Sequence, residues 1–358
     1  MIMLGLTLVF AALWRNFEKS ILMSYQTDSQ LKIKWKYGIL LVSLFGTFLP
    51  MYIINAGMSY VGNDYANYVN YYRNIASGVG QDVEYGYKLI NQLVIKAGLD
   101  FQWVYFITCF IAYILLIVCI RTYSSNYAVS YLLFFTGGFF FLLGLNQIRQ
   151  FVAVGCVLLA FQFIEKKKPL IYFGLVICGG LFHITAFVML PFYFILGKRI
   201  HLSFYAVISL IILPINFFFN DIMVWLFKTF MPRYLRSDYV SRTYELEVPY
   251  LVMIIVTVVV VLFLIGKETG ELSGIDRVFL NGCMISVVLA TVCSWLPEYA
   301  RFVYYFFIPT IFYIPKLLNK MQKRLIRILV LGIVVIADLV YVFTIIGYSN
   351  VLPYKSIF

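Results

Sequence analysis

The chain has 358 residues, of which 63% are hydrophobic and only 12% are charged, and its mean hydropathy is +0.90. A soluble globular protein carries about 25% charged residues, so this composition excludes a soluble enzyme and predicts an integral membrane protein. The formal net charge of +12 comes from basic residues dispersed among short polar segments. Because they are not gathered on one soluble face, no nucleic-acid partner is predicted.

Apolar blocks of roughly 15 to 22 residues recur along the whole chain, close to the span of a hydrocarbon core about 30 Å thick. They are predicted to be helices, because lipid offers the backbone no hydrogen-bonding partner and the alternating polarity of a membrane barrel is absent. The predicted fold is all-α, a polytopic transmembrane helical bundle that forms one integral membrane domain over 1–358. About twelve spans are expected, near 1–14, 37–57, 103–121, 127–145, 149–164, 169–182, 184–197, 201–219, 249–266, 277–294, 301–316 and 327–347.

The three short segments between 149 and 197 leave a second possibility open, in which one pair forms a re-entrant hairpin. Lysine and arginine are concentrated in one set of short loops, such as 166–168, and this pattern predicts that those loops face the cytoplasm. The alternate loops carry more than half of the acidic residues. Both termini are therefore predicted to lie outside, together with two large outer loops at 58–102 and 220–248.

The first outer loop, 58–102, combines carboxylates with many tyrosines. An amphipathic helix is predicted from Gly86 to Ala97, because apolar residues recur there at helical spacing while lysine and amide side chains occupy the opposite face. Such a helix is expected to lie at the outer membrane interface. The candidate catalytic carboxylates of this loop are Asp64 and Glu84, and the candidate sugar-binding side chains are Tyr65, Tyr68, Tyr72 and Tyr85.

The second outer loop, 220–248, carries arginines interleaved with tyrosines. Arg233 and Arg236 are three residues apart, so one helical turn would present both from one face. Guanidinium groups offer a planar fork of donors to phosphate oxygens, and tyrosine rings can stack on sugars. The alternative is that these side chains are ordinary interface anchors. The candidates here are Arg233, Arg236 and Arg242 for a diphosphate and Tyr239 for a sugar.

Four ionisable residues fall within or at the ends of apolar segments, where a charge is costly unless it faces a polar cavity. Arg149, His183 and Arg301 are each expected where helices meet the outer surface, and they are functional candidates for that reason. Asp338 falls near the middle of the last predicted span. Because a lipid headgroup does not reach the midplane, Asp338 is predicted to be a structural partner to an arginine.

Arginines, one histidine, carboxylates and tyrosines on one surface suit a glycan linked to lipid pyrophosphate. Arginines would neutralise the charge that develops on a diphosphate leaving group. Histidine, with an ordinary pKa of about 6.5, can take a proton from an attacking sugar hydroxyl. His183 is the candidate base, because the second histidine, His201, follows Lys198 and Arg199 on the predicted cytoplasmic side. The alternative for His183 is a hydrogen-bonded packing residue, which leaves Glu84, Asp64 and Glu298 as bases.

Four short motifs stand between residues 60 and 195. They are Asn63-Asp64-Tyr65 with Tyr68 and Tyr72, Glu84-Tyr85-Gly86-Tyr87 at the start of the amphipathic helix, Gln147-Ile148-Arg149-Gln150, and Phe182-His183. Together they resemble the EpsG-like group of Wzy-type polysaccharide polymerases. The resemblance extends over most of the chain in hydropathy, whereas the second outer loop is less similar to the group.

This resemblance implies a glycosyltransferase of the bacterial plasma membrane that joins glycan repeat units carried on undecaprenyl pyrophosphate. Such an enzyme acts at the outer leaflet without a nucleotide sugar, a metal or another cofactor. Arg149 and Arg301 would correspond to diphosphate-binding arginines and His183 to the base. The expected partners are the lipid-linked glycan, membrane lipids, and other polysaccharide-assembly proteins such as a flippase and a chain-length regulator.

Two other functions fit part of the same pattern. A metal-dependent glycosyltransferase of the GT-C type uses a lipid monophosphate sugar and a carboxylate pair in its first outer loop. Asp82 and Glu84 have that spacing, which leaves a GT-C-like bundle open, although Glu84 could equally cap the helix that follows it. A lipid-linked oligosaccharide flippase or other transporter fits less well, because transporters show related halves and polar groups at mid-depth. Here the sequence shows no internal repeat, and apart from Asp338 the polar residues cluster at one surface.

Overall fold

The computed structural model describes residues 2–24, 30–79, 82–205, 207–208, 210–211, 229, 248–266, 272–292, 299–348 and 350–357. Within these ranges the chain is helical and contains no β-strand, although Met58 and Ser356 form an isolated antiparallel bridge. Two short elements in this part of the chain are not α-helical, a π-helical turn, Phe140–Gly144, and a 3-10 helix, Ile184–Met189. The α-helices are α1 Ile2–Ser24, α2 Gln30–Ala56, α3 Tyr65–Ala76, α4 Tyr85–Lys96, α5 Phe101–Tyr123, α6 Tyr127–Thr136, α7 Ile148–Ala160, α8 Gln162–Glu165, α9 Pro169–Gly180, α10 Tyr193–Leu196, α11 Val248–Ile265, α12 Gly274–Val292, α13 Ala300–Phe307, α14 Thr310–Lys320 and α15 Arg324–Tyr348.

Six helical segments of the described residues are long and apolar enough to cross a membrane. The predicted all-α polytopic membrane fold is therefore confirmed. The total of about twelve spans stays a prediction, as does the placement of the amphipathic helix, now α4, at a membrane interface. The six segments are Lys36–Ala56, Phe101–Tyr123, Ile148–Glu165, Val248–Ile265, Gly274–Thr291 and Arg324–Thr344.

α7 lies at the centre of the bundle, packed against α5 and α9. Of the residues in Ile148–Glu165, the segment that contains α7, 72% are buried. In the most apolar 18-residue stretch of α2 the buried share is 22%, and in that of α15 it is 28%. A helix that remains apolar on its exposed side is typical of a membrane span, so α2 and α15 are the lipid-facing periphery. The exposed stripe of α15 consists of Leu325, Ile328, Leu329, Ile333, Ile336, Val340 and Phe343.

The two short spans predicted after residue 168 form a hairpin. α9 has 12 residues, roughly 18 Å at 1.5 Å per residue, which is too short for a hydrocarbon core of about 30 Å. The 3-10 helix and α10 return along it, because the ring centroids of Tyr172 and Tyr193 are 5.1 Å apart and the Tyr172 hydroxyl donates to the Met189 carbonyl at 2.7 Å. This geometry fits the re-entrant alternative, and the tip of the hairpin carries His183.

The segment predicted as one span over 127–145 is interrupted. α6 ends at Thr136, and Gly138 follows at a φ of +80°, a left-handed conformation that favours glycine. The π-helical turn then brings Gly144 against the side chain of Asn55, where a Cβ would collide. The break therefore depends on glycines packed against a neighbouring helix.

The two ends of the bundle carry different polar groups. α5 begins near Tyr65, whose hydroxyl donates to the Gln102 side chain at 3.1 Å, and ends near the ion pair of Arg121 with Glu18, at 2.8 Å. The 23 residues of α5 correspond to roughly 34 Å, slightly more than the hydrocarbon thickness. The first loop and this ion pair therefore lie on opposite sides of the bundle.

The end of the chain returns to the first loop. Residues 350–357, the C-terminal strap, lie alongside 57–62, where the Gly62 N–H donates to the Asn350 carbonyl at 2.9 Å and the Ile357 N–H donates to the Gly57 carbonyl at 2.9 Å. The strap therefore shares one end of the bundle with the first loop.

Candidate active site

Arg149 lies at the start of α7, where its guanidinium is ion-paired with the Glu84 carboxylate. Its Cζ atom lies 5.5 Å from the ring centroid of Tyr68, 5.3 Å from that of Tyr71 and 5.6 Å from that of Tyr87. A cation within about 6 Å of an aromatic face is attracted by the ring. Arg149 is thus held in place by one carboxylate and three tyrosine rings.

Glu84 joins Arg149 to the tip of the hairpin. It is the residue before α4, but its side chain makes no capping hydrogen bond, and one carboxylate oxygen instead accepts from the Ile184 N–H at 3.3 Å. The Gly86 N–H donates to the Leu181 carbonyl at 2.7 Å, and a Cβ at Gly86 would lie 2.8 Å from that oxygen. Glycine therefore allows the close approach that positions Glu84 beside the hairpin.

Arg301 reaches the same place from the start of α13. Its Nη1 lies 3.3 Å from His183 Nε2, and its Nη2 lies 4.0 Å from a carboxylate oxygen of Asp64. The side-chain amide of Gln150 donates to the Arg301 carbonyl at 2.7 Å, which ties α13 to α7. The Arg301 side chain is 21% exposed and that of Arg149 is 14% exposed, so both are partly accessible to solvent.

His183 is 6% exposed and has a neighbour on each ring nitrogen. Its Nδ1 lies 2.7 Å from Thr185 Oγ1, which in turn lies 2.9 Å from the Tyr305 hydroxyl. Because a guanidinium can only donate, Nε2 accepts from Arg301 and the ring proton belongs on Nδ1, from which it is donated to Thr185. The two neighbours therefore select one tautomer of His183.

Burial lowers the pKa of His183 well below its ordinary value of 6.5, and the positive charges of Arg301 and Arg149 lower it further. The imidazole is therefore neutral at neutral pH and able to accept a proton. Burial also raises the pKa of Tyr68. Tyr68 thus stays a hydrogen-bond donor, and its hydroxyl donates to the Asn146 carbonyl at 3.0 Å.

Asp64 follows a tightly held turn. The Asn63 N–H donates to the Asn146 side chain at 2.6 Å, and the Asn350 amide of the C-terminal strap donates to the Asn63 side chain at 2.6 Å. Gly62 has a φ of +79°, and a Cβ there would collide with the turn that precedes α7. Both the strap and the start of α7 therefore fix the position of Asp64.

The tyrosines predicted to bind sugar differ in exposure. Tyr65 is 4% exposed and Tyr68 is 1% exposed, so neither has an open ring face. Tyr72 is half-buried, and its hydroxyl donates to the Leu99 carbonyl at 2.6 Å. Tyr85 is 65% exposed and is the one of these four whose ring a sugar can reach freely.

Five predicted site residues lie outside the described residues, so their roles stay predictions. They are Arg233, Arg236, Tyr239, Arg242 and Glu298.

Other side chains of the site do not emerge from the sequence reasoning. Tyr305 follows Arg301 by four residues, a spacing that places both on one helix face, and Thr185 follows His183 by two. These spacings are the signals in the sequence that indicate Tyr305 and Thr185. No local signal indicates that Tyr71 and Tyr87 surround Arg149, because the three lie on separate helices, α3, α4 and α7.

The fold and the site together define a polytopic all-α membrane protein with two arginines, two carboxylates and a neutral histidine gathered at one end of its helices. The chain belongs to the EpsG family, whose family model matches residues 40–356. The match includes all five of these residues, and the family places the chain among membrane polysaccharide polymerases. No curated protein and no solved structure matches the chain.

Proposed function

We propose that the protein is a glycan polymerase that transfers a growing polysaccharide from undecaprenyl pyrophosphate to a lipid-linked repeat unit at the outer leaflet. The observation that carries this proposal is the meeting of Arg149, Arg301 and His183 at one end of the bundle. These residues come from α7, α13 and the hairpin tip. Membership of the EpsG family agrees with this function.

Arg149 and Arg301 are proposed to hold the diphosphate of the donor. Each is paired with a carboxylate in the structure, Arg149 with Glu84 and Arg301 with Asp64. A diphosphate offers the same kind of anionic oxygens with a higher charge, and guanidinium groups bind such oxygens in a bidentate manner. It can therefore displace the carboxylates, after which the arginines stabilise the charge that develops on the leaving group.

His183 is proposed as the base. Its Nε2 accepts a hydrogen bond from Arg301, and this lone pair becomes free when Arg301 turns to the diphosphate. Nε2 then takes the proton of the acceptor hydroxyl, whose oxygen bonds to the anomeric carbon of the donor. The bond from that carbon to the diphosphate breaks, and the diphosphate leaves with the electron pair. Donor binding thus precedes activation of the base.

Glu84 and Asp64 are the alternative bases. Each carboxylate is paired with a guanidinium, Glu84 with Arg149 and Asp64 with Arg301, so its pair must break before it can take a proton. Their proposed role is to hold the arginines in position before the donor binds. They become the bases only if His183 proves dispensable.

Two contacts of Glu84 argue against the metal-dependent GT-C alternative. That alternative needs Glu84 as a metal ligand, but one of its oxygens pairs with Arg149 and the other accepts from the Ile184 N–H. A metal ion at this carboxylate would have to displace the guanidinium.

The function is tested by reconstituting the purified protein in liposomes with lipid-linked repeat units from the same organism, and by sizing the products. We expect a ladder of polymer that forms at the same rate in EDTA. Folded protein that makes no polymer from intact repeat units contradicts the proposal. A ladder that EDTA abolishes and a divalent metal restores supports the GT-C alternative.

The outer-leaflet placement predicts the accessibility of introduced cysteines. Ser77, after α3, and Lys168, at the base of the hairpin, are both exposed. We expect an impermeant thiol reagent added to intact cells to label Ser77→Cys, and to label Lys168→Cys only after the membrane is permeabilised. The unaltered chain, with 6 cysteines, gives the background. The reverse pattern contradicts a reaction at the outer leaflet.

A further inference from the structure

Asp338 carries a buried carboxyl group that the proposed reaction does not use. It is 4% exposed and lies within the apolar segment Arg324–Thr344 of α15. The sequence predicts an arginine as its partner, but the neighbour in the structure is Thr136 of α6, whose Oγ1 lies 3.1 Å from Asp338 Oδ2. The ion pairs found among the described residues do not include Asp338.

Asp276 shows how a second buried aspartate is compensated. It is 3% exposed, and its carboxylate accepts from Lys316 Nζ at 2.6 Å. No lysine or arginine serves Asp338 in this way among the described residues. An ionised carboxylate inside a membrane is costly without a counter-charge. A bound cation beside Asp338 would remove this cost.

A cavity of about 10 Å³ adjoins the Asp338 carboxyl. Thr257 of α11 and Thr310 of α14 line it, and the remaining lining side chains, from α6, α13, α14, α15 and Phe139, are apolar. No other titratable or charged side chain of these elements faces the carboxyl across the cavity. A volume of this size holds about one water-sized particle.

Of the three threonine hydroxyls around Asp338, those of Thr310 and Thr136 have a backbone carbonyl as acceptor. Thr310 donates its hydrogen to a backbone carbonyl at 2.7 Å. Thr136 Oγ1 lies 3.0 Å from the Leu132 carbonyl and 3.1 Å from Asp338 Oδ2. A threonine hydroxyl has only one hydrogen, so it can donate to only one of these two oxygens. Both contacts are hydrogen bonds only when Asp338 supplies a hydrogen of its own. Thr257 Oγ1 is buried without a partner and lines the cavity, so its lone pairs are available to a cation there.

We propose that Asp338, Thr136, Thr257 and Thr310 form a binding site for one small monovalent cation within the membrane. The cation is a proton on the Asp338 carboxyl or a sodium ion held by the same atoms, because hard cations prefer carboxylate and hydroxyl oxygens. The four residues belong to α15, α6, α11 and α14, so an occupied site ties four helices together. The site is independent of the proposed glycan reaction.

The test follows thermal unfolding of the purified full-length protein in detergent between about pH 6 and about pH 9, in sodium chloride or choline chloride of equal ionic strength. For a proton, the midpoint in choline falls as the pH rises, because deprotonation leaves an uncompensated buried carboxylate. For sodium, the salt raises the midpoint in a saturable way, and its half-saturating concentration falls about tenfold per pH unit as competing protons are removed. Asp338→Asn abolishes either response.

Asp276→Asn is the matched control, a buried carboxyl replaced elsewhere, which lowers the midpoint but keeps the response. If Asp338→Asn yields no folded protein, Thr136→Val removes the neighbour of the carboxyl and reduces the response. A response to pH alone assigns the site to a proton, and a response to sodium assigns it to that ion. Midpoints that depend on neither, or a dependence that persists in Asp338→Asn, overturn the proposal.

Discussion

Replacing Arg149 with alanine is expected to lower polymer formation by about 10²- to 10³-fold, because a donor to the charge that develops on the leaving diphosphate is lost. The structure places this guanidinium beside Glu84 and among three tyrosine rings, which orients it in advance. Arg149→Lys is expected to recover only part of the rate, since an ammonium group cannot reproduce the planar fork. Polymer formed in liposomes from lipid-linked repeat units measures the effect.

A control must separate catalysis from folding, because Arg149→Ala also leaves Glu84 without its counter-charge. Breaking a buried pair in this way destabilises a protein by up to about 3 to 5 kcal/mol. The double variant Glu84→Gln, Arg149→Ala removes both charges, so it should restore the amount of protein in the membrane without restoring polymer. Arg73→Ala is the matched control, since Arg73 is an exposed arginine of α3 in the same loop, and it should behave as the unaltered protein. Full activity in the double variant contradicts diphosphate binding by Arg149.

Hydropathy predicts the regular helices of this fold, because a helix that passes through lipid must be apolar along its length. It does not predict the break after Thr136, and it leaves the hairpin that follows residue 168 as one of two possibilities, since the residues on both sides of each break are equally apolar. Such breaks depend on packing against neighbouring helices. The predicted spans 103–121, 249–266, 277–294 and 327–347 correspond to α5, α11, α12 and α15.

The residues of the site can be predicted from their chemistry, whereas the contacts between them cannot. Arg149, His183 and Arg301 can be singled out in the sequence because ionisable side chains are rare in apolar segments. Their pairing with carboxylates joins distant parts of the chain, and only the folded structure defines it. Tyr68 illustrates the limit, because the sequence suggests a ring open to sugar, while its burial against Arg149 makes it part of the cage around the guanidinium.

His183→Gln is expected to lower turnover by about 10²- to 10⁴-fold while binding of the lipid-linked donor stays close to that of the unaltered protein. Glutamine keeps an oxygen that can accept from Arg301 and an amide that can donate to Thr185, the two neighbours of the imidazole. It cannot accept a proton at neutral pH. Because the arginines hold the diphosphate, kcat should fall with little change in donor affinity, measured on the purified protein.

The pH dependence of kcat/KM gives a second readout. The rate of the unaltered protein should fall on the acid side, because imidazolium cannot accept a proton. Burial and the two arginines lower the pKa of His183 below 6.5, so the fall begins at a lower pH than for an exposed histidine. A histidine buried in its neutral form also stabilises the fold fully above pH 6.5 and progressively less below it. Unfolding is therefore followed at each pH, and His183→Gln should lack the acid fall in rate.

His201→Gln is the matched control for this variant. His201 is exposed beyond the base of the hairpin, with its Nδ1 2.7 Å from Ser203 Oγ, and its replacement should leave the rate and the pH profile unchanged. If His183→Gln retains most of the activity with the acid fall intact, His183 is a packing residue held between its two neighbours. The base is then a carboxylate, and Glu84 is the first to test, because it lies between Arg149 and the hairpin tip.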